Sequence, residues 1–487
     1  MKDRATLQPI DSGDLVLFVD KSPKQENLFH AIREKIVKQL WHKGGKLPST
    51  RKLAEELNLG RNTVTAAYEQ LVAEGYLESR TGSGFYVAVE LPDHYLPTSK
   101  PTKHKEQTQT VQIQKVEPNN TAFAPGVPDL QQFPIAKWNK HLQVHSTRHS
   151  LLGNKGTQGD AELRLALSDY LATSRSVHCD ADRIIITSGA QQALMITLMA
   201  VMEPNDSVLM EQPGYSKMRK IIELLKYQFE PVHVNEYVGF DIERIFKSKA
   251  RALYITPSNQ YPMGTTLNTE QRLKLIEWAN QGNHWIIEDD YDSEFQFAHR
   301  PYTSLQGLSA EIHADSRVIY VGSFSKTMFN SLRMGYLIVP QALVDRCLAI
   351  KDALTGDSPA HIQSALADFI KSGDFLRHIR KMRRLYKDKH QQMMSSIQKH
   401  FAKDVEIISQ AAGLHVTLKW VEGIDEVTLS LAALNDGIVV RPLSYYENPE
   451  FKQREWQGAV LGFGNISIDK IDEKIKRIAD LFYQDTK

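Results

Sequence analysis

Residues 318–326 read Val-Ile-Tyr-Val-Gly-Ser-Phe-Ser-Lys, and Arg333 follows seven residues after the lysine. The apolar, β-rich run that ends in glycine predicts a buried strand and a tight turn, with Lys326 at the mouth of a sheet. Hydroxyl groups and a guanidinium can hold a phosphate, and a lysine amine can condense with a carbonyl group. The stretch therefore indicates a site for a phosphorylated aldehyde. By itself the pattern is weak, because Ser-x-Ser-Lys recurs by chance and most lysines are solvated surface charges.

The composition of the whole chain is typical of a soluble globular protein with two or three domains. It has 487 residues, of which 41% are hydrophobic and 24% charged, and its net charge of +1 means that any surface for nucleic acid must be local. No apolar run approaches the length of a membrane span, so we expect no membrane segment and a cytoplasmic location. Only Cys179 and Cys347 occur, which offers neither a disulfide framework nor a zinc cluster.

The N-terminal part of the chain predicts three short helices followed by a hairpin. Apolar residues recur at every fourth position from Leu28 to Leu40, which indicates an amphipathic helix that Gly44-Gly45 ends. Ser49 is a good N-cap for a second helix, and a third helix begins at Arg61 and ends at Gly75. Residues 78–87 then read as a hairpin with a glycine-rich tip.

This order of elements describes a winged helix-turn-helix, whose third helix could contact phosphates or base edges in a major groove. The alternative is a small protein–protein module with merely solvated polar residues, since the basic excess is slight. Residues 47–51, 61–64 and 74–77 and the Gly82-x-Gly84 tip together resemble the GntR-type DNA-binding domain. That resemblance implies a set of DNA-contacting residues, namely Arg51, Arg61, Asn62, Thr63, Thr65 and Gly82.

The pattern divides the chain into four segments. We expect an N-terminal extension over 1–25, the winged helix domain over 26–88, a flexible linker over 89–120, and a large domain over 121–487. The linker is rich in Pro, Thr, Gln and Lys and cannot bury enough surface to fold alone.

Strand-like and helix-like runs alternate from Thr121 onward, which indicates an α/β domain with a mostly parallel sheet and sites at the strand ends. The predicted strands are 183–187, 207–210, 252–255, 285–287, 318–321 and 335–339. A smaller α+β lobe is expected from about residue 359. It would contain a long basic helix around 378–390 and strands at 414–418 and 438–440.

Several predicted strand ends carry chemically useful groups. Ala190 and Gln191 open a helix whose exposed amides could hold a phosphate, although an ordinary turn would look the same. Tyr215 lies in a loop and could stack on a flat ring, or be no more than half-buried. Asp289, in the acidic run 288–292, could pair with a protonated pyridine nitrogen. The alternatives for that run are helix caps or a metal site, and the lack of histidine disfavours metal.

Taken in order, these pieces resemble the fold type I aminotransferases, which use pyridoxal 5'-phosphate (PLP). The resemblance runs from about Ala124 to the C-terminus and includes residues 126–130, 156–159 and 256–264. It implies that Lys326 forms the internal aldimine, Asp289 pairs with the pyridine nitrogen, Tyr291 faces the ring hydroxyl and Tyr215 stacks on the ring. The phosphate would be held by Ala190, Gln191, Ser323, Ser325 and Arg333, and Asn259 would also lie at the cofactor.

A GntR-type head, a polar linker and an aminotransferase-like body resemble the MocR/GabR family of bacterial transcription regulators, as do residues 288–295 and 461–463. The resemblance implies a homodimer that binds operator DNA and senses an amine, an amino acid or PLP itself through an aldimine at Lys326. Enzymes of the fold grip a substrate carboxylate with an arginine near 461–463, where this chain has none. Arg441 and Lys217 are the candidate effector contacts, and the alternative for Arg441 is a structural salt bridge. The family usually has histidine at Asn259, and a relative that senses GABA would be expected to have arginine at Lys217.

Two alternatives stay open, an active aminotransferase with a regulatory DNA-binding head and a DNA-binding protein that has lost its cofactor. Exchange of an amine at Lys326 needs only that lysine and an amine, whereas turnover also needs a bound substrate acid and a poised base. This asymmetry favours sensing over catalysis.

Overall fold

The structure, a computed structural model, describes residues 10, 15, 24–90, 121–237, 239–240, 242–297, 302–312 and 316–484. The chain divides into two compact units, Met1–Lys115 and Val116–Lys487. Nearly all of the predicted linker, 89–120, and most of the predicted extension, 1–25, lie outside the described residues.

The first unit contains three helices and a two-stranded sheet, as predicted for a winged helix-turn-helix. The helices are α1 (Lys24–Val37), α2 (Thr50–Glu56) and α3 (Arg61–Ala73), and the strands are β1 (Leu77–Arg80) and β2 (Gly84–Val87). The strands pair antiparallel, with Leu77 opposite Val87 and Arg80 opposite Gly84. Apolar side chains at helical spacing form the core of the unit, for example Leu28 and Ile32 of α1 and Val64 and Leu71 of α3.

The start of α2 shows how the sequence determines this local structure. The Ser49 hydroxyl accepts a hydrogen bond of 3.2 Å from the backbone N–H of Lys52, which satisfies one of the free amides at the helix N-terminus. The buried hydroxyl of Tyr68 on α3 donates to the Pro48 carbonyl oxygen at 3.1 Å, which ties α3 to the turn before α2.

The first helix ends earlier than the apolar spacing indicates. We expected it to continue to Gly44-Gly45, but α1 stops at Val37. Gln39 adopts a left-handed conformation (φ +55°), and the N–H groups of Leu40 and Trp41 both turn back to the Lys35 carbonyl oxygen. As a result Trp41 is buried, whereas Leu40 is 58% exposed.

The larger lobe of the second unit is built on an eight-stranded sheet in the order β3-β10-β9-β8-β7-β4-β5-β6. Its strands are β3 (Ile184–Thr187), β4 (Ser207–Gln212), β5 (Gln228–Asn235), β6 (Gly239–Phe240), β7 (Ala252–Ile255), β8 (Trp285–Asp290), β9 (Val318–Ser323) and β10 (Gly335–Ile338). Strands β9, β8, β7, β4 and β5 run parallel, while β10 and β6 are antiparallel to their neighbours. The carboxyl ends of the parallel strands therefore meet at one edge, where α/β sheets bind ligands.

Nine helices in this part of the described chain accompany the sheet. They are α4 (Ile135–Ser146), α5 (Ala161–Arg175), α6 (Ala190–Val201), α7 (Ser216–Leu225), α8 (Ile242–Lys247), α9 (Thr269–Gln281), α10 (Leu305–Ile312), α11 (Val344–Leu354) and α12 (Ala360–Lys371). Apolar side chains of the strands and helices pack into three buried clusters around the sheet. The mostly parallel α/β architecture is the one that the sequence predicts.

The smaller lobe consists of a long helix, a four-stranded antiparallel sheet and two further helices. Its elements are α13 (Asp374–Phe401), β11 (Glu406–Ile407), β12 (His415–Trp420), α14 (Glu426–Asn435), β13 (Arg441–Pro442), β14 (Gln457–Gly462) and α15 (Ile471–Gln484), with strand order β11-β12-β14-β13. Helix α12 packs against α4 and α5. Met382 is the first residue of α13 in the buried core of the smaller lobe, which also includes Phe123 and Phe295 from earlier in the chain.

The sequence pattern predicted one strand of the smaller lobe at the wrong residues. Residues 438–440 were expected to form a strand, but ladder pairing begins at Arg441, opposite Val460 of β14. Instead, Ile438 makes a single bridge to Ala122, and the Val439 N–H donates to the Ala122 carbonyl oxygen at 2.9 Å. The apolar run is buried because it packs on the chain segment that enters the body.

Candidate functional site

A pocket with a volume of about 310 Å³ opens at the carboxyl ends of β4, β7, β8 and β9. It brings together most of the residues predicted for the cofactor and the effector, namely Ala190, Gln191, Tyr215, Lys217, Asp289, Tyr291, Ser323, Ser325, Lys326, Arg333 and Arg441. Asn259 is the exception among the predicted set. It lies behind the pocket wall, where its Nδ2 donates to the Tyr291 hydroxyl at 3.1 Å.

Lys326 lies three residues after the end of β9 and contributes its amine to the lining of the pocket. Its Nζ donates a hydrogen bond to the Gly126 carbonyl oxygen. A Cβ atom at Gly126 (φ +79°) would lie 2.5 Å from this Nζ, so glycine makes room for the amine in this position. Burial lowers the pKa of the Lys326 amine to about 8, although the nearby carboxylates of Asp292 and Asp289 act in the opposite direction. About a tenth of the amine is therefore unprotonated at pH 7, far more than for an ordinary lysine, and able to attack a carbonyl group.

Asp289 at the end of β8 lines the pocket and has one carboxylate oxygen bonded and one without a partner among the described residues. Oδ2 accepts a hydrogen bond of 2.8 Å from the Tyr254 hydroxyl, and Oδ1 is buried with no hydrogen-bond partner among the described residues. Burial raises the pKa of Asp289 to about 7, against the opposing effect of the Tyr254 hydroxyl. A buried acceptor oxygen without a partner fits a protonated ring nitrogen, which would hold the carboxylate in its ionised form.

The opposite end of the pocket is built to hold an anion. Helix α6 begins at Ala190, and its N-cap Gly189 (φ +93°) has no side chain to occupy the free amides of the first turn. The hydroxyls of Ser323 and Ser325 lie 3.0 Å apart, and the Arg333 Nη2 donates to the Ser188 carbonyl oxygen at 3.3 Å. Amides, hydroxyls and a guanidinium are the donors that a phosphate needs.

Tyrosine rings form the wall between these two ends. The Tyr261 ring lies edge-on to Tyr215, with centroids 6.4 Å apart, and to Tyr291 at 5.5 Å. The hydroxyls of Tyr261 and Tyr446 are 2.7 Å apart, and the Tyr291 hydroxyl donates to the Asn259 carbonyl oxygen at 3.0 Å. Burial raises the pKa of the Tyr291 hydroxyl well above its ordinary value, so it stays protonated as a donor.

Two cationic side chains lie on the part of the lining contributed by α7 and β13. Lys217 belongs to the first turn of α7, and the guanidinium of Arg441 lies 4.8 Å from the centre of the Tyr445 ring. His415 also lines the pocket, with its Nε2 3.1 Å from the Pro262 carbonyl oxygen. Burial lowers the pKa of His415 to about 4, so this imidazole is neutral near pH 7.

Sequence reasoning missed several residues of this lining, including Tyr254, Tyr261, Asp292, Asn330 and His415. Tyr254 and His415 lie in predicted strands and Tyr261 in the 256–264 stretch, but only the fold brings these three residues and Asn330 to the pocket. For Asp292 a signal existed, because it belongs to the acidic run at the end of β8. Among the described residues, no group of three or more His, Cys, Asp and Glu side chains is arranged to hold a metal ion.

The predicted DNA-contacting residues all lie in the first unit. Arg51 on α2 is exposed and its Nε donates to the Glu55 carboxylate at 3.1 Å. The start of α3 carries Arg61 and Asn62, which are exposed, and Thr63 and Thr65, which are half-buried. Gly82 lies at the hairpin tip with φ +72° and open space around it.

Together, the fold and the pocket define a fold type I, aminotransferase-like body on the same chain as a winged helix-turn-helix. Comparison with known families agrees with both halves. The family of class I and II aminotransferases matches residues 121–454, and the GntR family of bacterial regulatory proteins matches residues 24–87. No helix in the described part of the chain is long and apolar enough to cross a membrane.

Curated relatives match the chain over nearly its whole length. The probable rhizopine catabolism regulatory protein MocR of Rhizobium meliloti is 33% identical over 477 residues, which cover 94% of each chain. The pyridoxine biosynthesis transcriptional regulator PdxR of Corynebacterium glutamicum is 29% identical over 453 residues, covering 93% of this chain and 94% of that protein. The chain belongs to the MocR family of helix-turn-helix transcription regulators, with a GntR DNA-binding domain and an aminotransferase-like body.

Solved structures share the fold of the body. The α-aminoadipate aminotransferase LysN of Thermus thermophilus, complexed with N-(5'-phosphopyridoxyl)-L-leucine, is 23% identical with a TM-score of 0.69 and covers 77% of this chain and 95% of its own. The kynurenine aminotransferase of Pyrococcus horikoshii, in complex with PMP, has the same identity and TM-score and covers 81% and 99%. With the family match, they confirm the prediction of pyridoxal 5'-phosphate as the cofactor.

Proposed function

We propose that this transcription regulator senses an amine, an amino acid or PLP itself at Lys326, and that the reaction at this lysine changes its affinity for operator DNA. The observation that carries the proposal is the Lys326 amine, which lines the pocket with a pKa lowered to about 8 and stands among groups that fit a phosphorylated pyridine. Such a regulator acts where the chromosome is, which agrees with the cytoplasmic location predicted from the sequence.

Each end of the pocket has a part in holding the cofactor. When bound, pyridoxal phosphate supplies an aldehyde carbon that amines attack and a ring that withdraws electrons. Lys326 would bind it covalently, the free Oδ1 of Asp289 would accept from the ring nitrogen, and Tyr215 and Tyr291 would contact the ring. Asn259 acts indirectly, because its amide and carbonyl groups fix the Tyr291 hydroxyl. The first amides of α6 and the side chains of Ser323, Ser325 and Arg333 hold the phosphate.

Arg441 and Lys217 select the effector in this proposal. Both line the same pocket as Lys326, and a guanidinium and an ammonium attract a carboxylate. An amino acid therefore fits the site with its amine directed at Lys326 and its acid group directed at the two cations. An amine without an acid group would leave both cations without this anionic partner.

DNA recognition belongs to the first unit. Arg51, Arg61, Asn62, Thr63, Thr65 and Gly82 contact operator DNA, with the start of α3 in the major groove and the hairpin tip alongside. A homodimer would present two such heads to two half-sites. An effector changes DNA affinity only to the extent that it binds the two arrangements of the protein with different affinity.

A DNA-binding measurement tests the proposal. We would footprint the full-length protein on the region upstream of its own gene, with and without PLP, and then with a panel of amines and amino acids. We expect protection of paired half-sites that changes with PLP or with one amine. The Lys326→Ala variant should lose this response, and Lys274→Ala, which removes an exposed lysine paired with Glu270, should keep it. Unchanged protection under all conditions, together with steady conversion of an amino acid and a 2-oxo acid, would instead support an active aminotransferase.

A further inference from the structure

The acidic run at the end of β8 contains three aspartates whose carboxylates have different partners. Asp290 is paired with the buried guanidinium of Arg175, at 2.6 Å from its Nε, and also accepts a hydrogen bond from the Tyr320 hydroxyl. Asp289 accepts from the Tyr254 hydroxyl and keeps one oxygen for the ring nitrogen. The third carboxylate, Asp292, takes part neither in the Arg175 salt bridge nor in the contact with Tyr254.

Asp292 is held in the pocket by an amide and by a close backbone approach. It lines the pocket and is only 3% exposed. Within the described residues, both of its oxygens accept from Nδ2 of Asn259, at 3.1 and 3.3 Å. A Cβ atom at Gly413 (φ +71°) would lie 2.3 Å from Oδ2, so glycine at this position makes room for the carboxylate. The side chain is thus fixed in place but has only a neutral donor.

The charged groups around Asp292 include the Lys326 amine, and the two groups affect each other's pKa. Asp290 and Glu294 disfavour its ionised form, and the Lys326 ammonium favours that form. Of the two carboxylates that act on the Lys326 amine, Asp292 has the larger effect. The carboxyl group is therefore electrostatically coupled to the nitrogen that an effector amine must replace.

We propose that Asp292 is the proton acceptor for the amine of the effector. This inference rests on the proposed function, because it assumes that an effector amine reacts at Lys326. An alkyl amine arrives as an ammonium, with an ordinary pKa near the lysine value of about 10.4, and cannot attack a carbon until it loses a proton.

The proposed step balances without an oxidant or another reactant. The ammonium gives its proton to Asp292, the freed amine forms a carbon–nitrogen bond to the cofactor, and the bond between that carbon and Lys326 breaks. Asp292 then returns the proton to the departing Lys326 amine. Burial raises the pKa of Asp292 to about 8 and lowers that of Lys326 to about 8, so a proton can pass between them at little cost.

Two amines distinguish this role from a structural one. Methylamine is protonated near neutral pH and needs a base, whereas methoxyamine is mostly unprotonated and needs none. We would mix each with the full-length, cofactor-loaded protein at pH 9, where Asp292 is mostly ionised and methylamine is still mostly protonated, and follow the visible absorption band of the lysine-bound cofactor. Asp292→Asn should slow the reaction with methylamine about 100-fold and leave that with methoxyamine within about twofold, in line with the usual size of general base catalysis.

A matched variant and a second measurement complete the test. Asp345→Asn removes an exposed carboxyl group in the first turn of α11 that does not line the pocket, so both rates should stay unchanged. Competitive acetylation of Lys326 in the cofactor-free protein should show a lower pKa in Asp292→Asn, because the variant removes a nearby negative charge. Equal slowing with both amines, no slowing with either, or an unchanged Lys326 pKa would overturn the proposal. A wild-type protein that reacts with neither amine would overturn the proposed function itself.

Discussion

The Tyr254 hydroxyl donates to Oδ2 of Asp289 at 2.8 Å, and Oδ1 of the same carboxylate has no partner among the described residues. The tyrosine thus fixes the orientation of a carboxylate that lines the pocket. Such an arrangement prepares the group for a positively charged ligand atom before the ligand arrives.

Replacement of this carboxylate should weaken cofactor binding. We expect Asp289→Asn to lower the affinity for PLP about 10- to 100-fold, because a hydrogen bond to a charged group contributes about 1.5–3 kcal/mol. Fluorescence titration of the full-length protein with PLP measures the change. Asp345→Asn, which removes an exposed acid in the first turn of α11, is the matched control. Equal affinities for the wild-type protein and Asp289→Asn would contradict the assignment of the ring nitrogen to Asp289.

Covalent attachment of the cofactor should depend on pH through Lys326. Its amine pKa of about 8 means that the fraction of unprotonated nucleophile grows as the pH rises through this value and is nearly complete above it. The rate at which PLP binds covalently should therefore rise with pH and level off above about pH 8. Stopped-flow absorbance measures this rate, and Lys326→Arg should show no covalent phase. A rate that keeps rising to the ordinary pKa of lysine would show that burial does not shift this amine.

The start of α3 should contribute to DNA affinity. Arg61→Ala removes an exposed charge that lies outside the core, so stability should be nearly unchanged while DNA binding weakens by about 1–3 kcal/mol. Fluorescence anisotropy with the footprinted operator fragment measures the affinity. The control is Gln70→Ala, further along the same helix, where the side chain contacts Glu74. If both variants bind like the wild type, α3 does not read DNA through Arg61.

A salt bridge near the lobe boundary should stabilise the body. The Lys389 Nζ, on a side chain that is 1% exposed, lies 2.8 Å from Oδ2 of Asp129 and 2.8 Å from the Gly464 carbonyl oxygen. Asp129→Asn leaves this ammonium without its anion, which costs about 3 kcal/mol in such pairs. Thermal unfolding should show a clearly lower midpoint, whereas Glu162→Gln, which breaks the exposed pair with Lys371, should change it very little. A shift of similar size in both variants would contradict this view of the buried pair.

Two glycines with similar backbone conformations should respond differently to alanine. Gly413 (φ +71°) faces Asp292 and Asn259, whose atoms would lie 2.3 and 2.5 Å from a new Cβ, whereas Gly437 (φ +67°) has nothing within 4 Å. Gly437→Ala should cost only the left-handed backbone strain, about 1 kcal/mol. Gly413→Ala should cost more and should also slow the reaction with methylamine, because it displaces Asp292. Unfolding curves and the same stopped-flow measurement test both expectations.

The sequence was sufficient for the parts of this protein that depend on local patterns. The apolar run before Lys326 and the acidic run after Ile287 are strands whose ends carry functional groups, so linear motifs alone located both sides of the pocket. The order of these motifs then implied a fold that the structure and the family comparisons confirm.

Other features depend on contacts between distant parts of the chain. Residues 438–440 have the composition of a strand, but their partner is Ala122, which no local pattern indicates. Leu40 fits the helical spacing of α1, but a left-handed Gln39 ends the helix first. Tyr254 was recognised only as part of a strand, because its contact with Asp289 requires β7 and β8 to lie side by side.

The Lys326 nitrogen donates a hydrogen bond to the Gly126 carbonyl oxygen, and the same nitrogen would form the covalent bond to the cofactor. A lysine nitrogen bonded to an aldehyde carbon would carry at most one hydrogen, whereas the free ammonium carries three, so it would be a poorer donor to the Gly126 carbonyl. Covalent binding of the cofactor would therefore weaken a hydrogen bond to the segment that leads to Asp129 and, through Lys389, to helix α13. The hydrogen bonding of the Gly126 carbonyl would thus differ between free and cofactor-bound Lys326. This carbonyl lies three residues before Asp129, which forms a salt bridge with Lys389 of α13.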